Sequence, residues 1–271
     1  MSALPAKLDD ASAPSRDPRS PRRDRWFRAD GGRARRYEPL VDLDPDFGRG
    51  LPPAELEALR RQLRVRVERV DRGPWRPSPV PSEHPLAYLV LDGVLLRSRR
   101  IDDRWSTELL GAEDVLQPWG EVQLPPGIAV ETSWRAVEQV EIALLDRRFA
   151  LAAARWPVLL EELLGRALRR SRLLATLLSV STIRRLDDRV LVLLRLLADR
   201  WGYVTPDGIV LRIRLTHETI ARLASAQRPS VSTAISRLSR AGQLRRQGRL
   251  LVLPADPPDH VRAEVISRRV G

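Results

Sequence analysis

The sequence predicts an α+β fold in three parts: an N-terminal antiparallel β-roll of the jelly-roll type, a long dimerisation helix, and a C-terminal winged helix-turn-helix. Three observations predict it. Residues 86–145 hold short apolar segments separated by Gly and Pro turns, which suits a small antiparallel barrel or jelly roll. From Arg155 to about Ile183 the pattern changes to a helical period, with no proline after Pro157. Leu215–Leu253 then reads as a helix, a sharp turn, a second helix and a basic β-ribbon.

Residues 1–36 are rich in Pro, Ser, Asp and Arg and nearly free of aliphatic side chains. They cannot bury enough surface to offset chain entropy and are expected as a disordered basic tail. That tail is either simply solvated or a non-specific phosphate-binding arm. Residues 37–155 are the expected roll. Within them, Leu51–Val70 contains a short helix opened by Pro52-Pro53, with Leu56, Leu59 and Leu63 on one face. Over Gly73–Pro85 the residues Pro74, Pro77, Pro79, Pro81 and Pro85 forbid regular structure. Tyr88–Leu91 and Val94–Arg97 flank Asp92-Gly93, a two-residue hairpin signal. Trp105–Leu110 and Val115–Leu116 are further strands, broken by Gly111-Ala112-Glu113-Asp114, and Ile128–Thr132 and Glu138–Leu145 complete the set. Trp75, Trp105, Trp119 and Trp134 are expected as core or pocket wall, a Trp-lined apolar ligand site being the alternative.

Residues 156–183 form the expected dimerisation helix. Leu160, Leu164, Ala167, Ser171, Leu174, Leu178 and Ser181 repeat at alternating steps of four and three, a heptad seam suited to a parallel helix pair. One side of an intramolecular core would give the same pattern, but a long helix between two domains has little else to pack on. Residues 184–255 are the expected winged helix-turn-helix, and 256–271 a tail. Asp187-Asp188 opens a helix over Arg189–Trp201 that buries Val190, Leu193, Leu194 and Leu197, and Gly202–Leu215 reads as a hairpin. Thr216 is a good N-cap for a short helix with Ile220, Leu223 and Ala224 on its apolar stripe. Ser225-Ala226-Gln227 makes the turn, with serine where such turns usually prefer glycine. Pro229 sits in the first turn of the next helix, where its missing N–H costs nothing. Val231, Ala234, Ile235 and Leu238 are its buried face, which leaves Arg228, Ser230, Ser232, Thr233 and Arg237 outward. Gly242 ends this helix, and Leu244–Leu253 folds back as two strands around Gln247-Gly248.

Charge follows the same division. Of 47 basic residues only Lys7 is lysine, and the net charge is +12. Residues 16–36 hold nine Arg against three acids, and residues 184–271 hold 17 Arg against eight, whereas residues 37–183 are nearly neutral. A neutral middle beside a basic C-terminal domain fits a sensor joined to a nucleic-acid binder. There is no cysteine, which excludes disulfides, iron–sulfur clusters and thiolate zinc sites. His84, His217 and His260 lie in three separate contexts without metal spacing, and no phosphate-cradling Gly loop or Ser/His/Asp motif supports an enzyme. No run of 18 apolar residues exists and no signal peptide opens the chain, so a cytoplasmic protein with no membrane partner and no cofactor is expected.

The order of elements resembles the Crp/Fnr family of bacterial transcription regulators, most strongly over residues 184–253. The residues that carry the resemblance are Leu215-Thr216, Glu218, Ile220-Ala221, Leu223-Ala224, Arg228, Val231-Ser232, Leu238, Gly242 and Gly248-Arg249, with weaker echoes at Asp92-Gly93, Gly111–Asp114 and Ala136…Leu145-Asp146. The resemblance implies double-stranded DNA, a second copy of the chain and RNA polymerase as partners. Where the family holds a cyclic-nucleotide phosphate, it uses a Gly-Glu pair and an Arg about ten residues later. Here Gly120-Glu121 could be the pair, but Val130 and Glu131 stand in the Arg register, and no Arg or Lys lies between Leu116 and Trp134. No guanidinium is available for a bidentate clamp, so the roll reads as a degenerate cyclic-nucleotide-binding domain. The recognition helix departs too. Family members reading the best-known half-site use Arg-Glu at its start and an Arg four residues after that Glu, whereas this chain has Arg228, Pro229 and Thr233.

Docking of this motif places Arg228, Ser230, Ser232 and Thr233 at base edges or nearby backbone, with Thr216, Arg237, Arg245, Arg246 and Arg249 at phosphates and His217 either a further phosphate contact or part of a solvated face. The expected function is a homodimeric, sequence-specific regulator on an inverted repeat. Two alternatives stay open. A non-specific architectural or replication-associated DNA binder would discriminate little between duplexes. A ligand- or partner-binding module would bind no duplex.

Overall fold

The computed structural model describes residues 36–77, 85–102, 104–119 and 130–254. The N-terminal tail up to residue 35, residues 78–84 of the proline-rich stretch, the Gly120-Glu121 pair, the first residues of the expected 128–132 strand, His84, His260 and the C-terminal tail lie outside them.

Two antiparallel sheets face one another. One runs β1 (Arg36–Pro39), β2 (Arg64–Val70), β9 (Val140–Leu145), β4 (Ala87–Asp92), β7 (Val115–Leu116), and the other runs β3 (Gly73–Trp75), β8 (Val130–Ala136), β5 (Leu95–Ile101), β6 (Arg104–Leu110). Between them lie Tyr88, Val90, Leu95, Leu110 and Ile142, with Trp75 set edge-on against Trp134 at 5.6 Å. The other face of the first sheet is covered as well. Leu89, Ala143 and Leu145 pack on α1 (Leu40–Leu43), α2 (Pro53–Gln62) and α3 (Arg147–Arg155), where Phe47 meets Phe149 at 5.8 Å. Burial on both faces explains why β9 reads as VEIALL, an almost continuous apolar run.

Several expectations are corrected. Asp92-Gly93 is not a hairpin, because β4 pairs with β7 and β9 while β5 pairs with β6 and β8. It is the corner at which the chain leaves one sheet for the other. Gly93 has φ +83°, and a Cβ there would stand 2.3 Å from the Gln139 carbonyl oxygen. The residue type was therefore informative and the partner was not. The proline-rich stretch does hold a strand: β3 pairs with β8 through Trp75↔Trp134, and Pro74 is accommodated because β3 is an edge strand. The helix expected in Leu51–Val70 ends at Gln62, and Arg64–Val70 is a strand that was not expected. β9 begins two residues later than the strand expected at 138, and β8, described from Val130, runs on to Ala136 rather than ending at Thr132.

The expected long helix is present as one helix, and a separate short helix, α3, precedes it. Asp146 caps α3 by accepting from the Arg148 N–H at 2.8 Å, Trp156 closes it, and Pro157 precedes α4 (Val158–Ser181). Helix α4 is anchored by Arg166, whose buried guanidinium donates to Asp44 at 2.6 and 2.9 Å and to Glu162 at 2.7 Å. Burial opposes the Arg166 charge, but the hydrogen bonds to Asp44 and Glu162 outweigh it and raise its pKa. The α4 residues Leu160, Leu164, Ala167, Ser171, Leu174 and Leu178 are all exposed in the single chain.

Beyond α4 follow α5 (Leu186–Trp201), the hairpin β10 (Gly202–Thr205) and β11 (Gly208–Leu211), α6 (His217–Leu223), α7 (Arg228–Arg240) and the ribbon β12 (Arg245–Gln247) and β13 (Leu250–Leu253). Their core buries Val190, Leu193, Leu194 and Leu197 as expected, and it includes Val94 and Leu109 from the roll. Charge joins the two units also. Glu108 on β6 is paired with both Arg97 and Arg170, and Asp114 accepts from Arg200 of α5 at 2.8 Å and from the Gly111 N–H at 2.8 Å. Burial pushes the Arg97 pKa down despite Glu108.

Candidate nucleic-acid interface

The helix-turn-helix is held by two helix ends of the same construction. After α6 the Ala226 N–H donates to the Ala221 carbonyl at 2.9 Å, with Ser225 at φ +49°. After α7 the Gln243 N–H donates to the Leu238 carbonyl at 2.9 Å, with Gly242 at φ +70°. Both are six-to-one helix stops that need a left-handed residue. Glycine supplies it freely at 242, whereas Ser225 carries a steric cost at the corner itself. Thr216 caps α6, its side chain accepting from the Thr219 N–H at 3.0 Å. Val231, Ala234, Ile235 and Leu238 are buried, as the spacing predicts. That burial turns Arg228, Ser230, Thr233 and Arg237 outward, and Ser232 is half-buried.

Ser232, His217 and Arg246 come from three different elements and form one chain of hydrogen bonds. Arg246 donates to His217 Nε2 at 2.8 Å, so Nε2 is the unprotonated nitrogen. Nδ1 then carries the proton and donates to Ser232 Oγ at 2.9 Å, and Ser232 donates to the Arg228 carbonyl at 3.0 Å. Burial first, and then the charges of Arg246 and Arg228, hold the His217 pKa below its ordinary value. Recognition helix, first helix and wing are thereby registered to one another. No spacing rule in the sequence could have shown this, because the three residues are brought together only by the fold.

The remaining expected residues are placed as follows. Arg228 and Arg249 are exposed and hydrogen-bond no described residue through their side chains. Arg245 donates to the Asp207 carbonyl at 2.5 Å, and Arg237 stands 3.6 Å from Asp187. The wing is an extension of a sheet, β10-β11-β13-β12, with its outer strand carrying Arg245 and Arg246. Gly248, at φ +60°, makes its tip.

The roll approaches this unit through β6. Arg222, at the end of α6, lies 4.7 Å over the Trp105 ring and is held by Glu218 at 2.9 Å. A cleft of about 1040 Å³ separates the β5–β6 hairpin, with Ile101, Asp102 and Arg104, from Ser225, Arg228 and Pro229. In the register where the resembled family places a phosphate-binding Arg, Glu131 is exposed and paired with Arg100 at 2.7 Å. Among the described residues no His, Asp and Glu side chains cluster as a metal site, and no helix is long and apolar enough to cross a membrane.

Residues 188–256 match the family model for the Crp-like helix-turn-helix domain. No curated protein matches the chain in sequence. Among solved structures, a CooA mutant from Carboxydothermus hydrogenoformans is 20% identical with a TM-score of 0.56, covering 81% of this chain and 92% of that one. The c-di-GMP responsive global regulator CLP of Xanthomonas campestris is 19% identical with a TM-score of 0.54, covering 71% and 95%. FixK2 from Bradyrhizobium japonicum is 19% identical with a TM-score of 0.53, covering 70% and 93%. At these identities the likeness is one of fold, and it runs through both units. Residues 188–256 are thus a Crp-like helix-turn-helix domain, carried on a chain with the fold of the CRP/FNR transcription regulators.

Proposed function

We propose that this chain is a homodimeric, sequence-specific regulator of transcription that reads an inverted-repeat operator and does not respond to cyclic nucleotides. The observation that carries the reading is the first two turns of α7, which present Arg228, Ser230 and Thr233 to solvent over a buried helix-turn-helix core. Side chains at that end meet base edges when such a helix enters the major groove, and Arg228 is suited to guanine O6 and N7. Thr216, Ser232, Arg237, Arg245, Arg246 and Arg249 supply backbone contacts, and His217, whose ring nitrogens are taken by Arg246 and Ser232, positions them.

Dimerisation is supported by the α4 seam. Leu160, Leu164 and Leu178 are 57%, 56% and 70% exposed, a contiguous apolar stripe that a second copy would cover. Insensitivity to cyclic nucleotides rests on the absence of any Arg or Lys from residues 117–133. The partners are then duplex DNA, a second copy and RNA polymerase, met in the cytoplasm. Selection of bound sequences from a random duplex library tests the reading. It should enrich an inverted repeat with half-site centres about 34 Å apart. A bound pool with no common sequence would instead favour an architectural role.

A further inference from the structure

A second cleft, of about 530 Å³, lies between the roll and the start of α6, away from the recognition helix. Its floor is the outer face of the β3-β8-β5-β6 sheet. Ser98 pairs with Thr107 on one neighbouring strand and with Ser133 on the other, so three hydroxyls share that face. Ser98 and Thr107 bond each other at 2.9 Å, and Ser98 is only 7% exposed. The rim is cationic. Arg72, Arg135 and Arg214 line it, are exposed, and form no ion pair with a described residue. The carboxylate in the lining, Glu218, is already held by Arg222. Glu138 acts on Arg214 only through space.

Guanidiniums without carboxylate partners, converging over a hydroxyl-bearing floor, are the chemistry of oxyanion recognition. The volume is that of a small-ligand site. A DNA duplex is far too wide to reach Ser98, whereas a pyrophosphate or a mononucleotide is not. We propose that this cleft binds a small phosphate-bearing anion of the pyrophosphate or nucleotide class, held by Arg72, Arg135 and Arg214 over the Ser98–Ser133 floor.

Calorimetric titration of the full chain with inorganic pyrophosphate, in the absence of DNA, tests this independently of the DNA-binding reading. Binding should be saturable, and Arg135→Ser and Arg214→Ser should each weaken it by about tenfold. Arg245→Ser, on the wing, should leave it unchanged. All three side chains are exposed, so the variants should fold, and an unchanged circular dichroism spectrum checks that. The proposal is overturned by no binding, by equal weakening in Arg245→Ser, or by sulfate binding as tightly at the same ionic strength. It is also overturned if Arg135→Ser and Arg214→Ser lower affinity for duplex while pyrophosphate binding persists, since those guanidiniums would then serve the DNA backbone.

Discussion

At the scale of single residues, the histidine read from the sequence as a phosphate contact or a solvated side chain has a structural role. His217 accepts from Arg246 through Nε2, which an imidazolium cannot do. Its pKa is held below the ordinary 6.5 by burial and then by Arg246 and Arg228. A lowered folded pKa means that the unfolded chain takes the proton first. The stabilising contribution of neutral His217 is therefore present above 6.5 and is lost as pH falls through the interval below it. The His217 imidazole resonances in an NMR titration should show a midpoint below 6.5, and Arg246→Ala should move it upward by removing one of the two repelling charges. A midpoint at or above 6.5 in the unmodified chain would contradict the hydrogen-bond chain described here. Arg228, by contrast, hydrogen-bonds no described residue through its side chain and is free to meet DNA.

Individual elements differ in how much of them could be read in advance. Ser225 shows a departure that was visible and now has a physical meaning: it occupies the left-handed position that ends α6. Ser225→Gly should stabilise the chain by about 1 kcal/mol in urea unfolding, since the backbone there favours a residue without Cβ. No gain, or a loss, would mean that the Ser225 side chain has a compensating contact. The helix-turn-helix and wing were legible because their signals are local: the spacing Val231, Ala234, Ile235 and Leu238, the cap Thr216, the stops Gly242 and Gly248. The roll was legible as a set of strands but not as a pairing. Asp92-Gly93 marks a tight left-handed corner equally well between two paired strands and between two sheets, and only contacts distant in sequence decide which. Helix α3 was missed because RRFALAAAR is only nine residues long and its unbroken apolar run, Phe149–Ala154, hides which positions, Phe149 and Ala152, are buried. The α4 seam was read from its heptad, and the structure leaves it uncovered in a single chain. Replacing both Leu164 and Leu178 with Asp should convert a dimer into a monomer in sedimentation, because two carboxylates per chain would enter the buried seam. A monomer in the unmodified protein at micromolar concentration would remove the dimer from the account.

For the whole molecule, the roll and the winged helix are one packed body rather than beads on a linker. Val94 and Leu109 enter the C-terminal core, Trp105 supports Arg222, and Glu108 and Asp114 tie the roll to Arg170 and Arg200. A change in the roll therefore has a physical route to the helices proposed to read DNA. The basic C-terminal unit, the recognition helix and the wing together make sequence-specific DNA binding the central claim, and two arginines separate it from mere affinity for phosphate. The measurement is affinity for the selected operator and for a scrambled duplex, each at several salt concentrations, in Arg228→Ala and Arg246→Ala. Arg228→Ala should cost about 1–3 kcal/mol on the operator and relax preference at one position in each half-site. Arg246→Ala should weaken both duplexes by a similar factor and reduce the salt slope by about one for each bound wing. If Arg228→Ala weakens operator and scrambled duplex equally, the helix is not reading sequence and the claim fails.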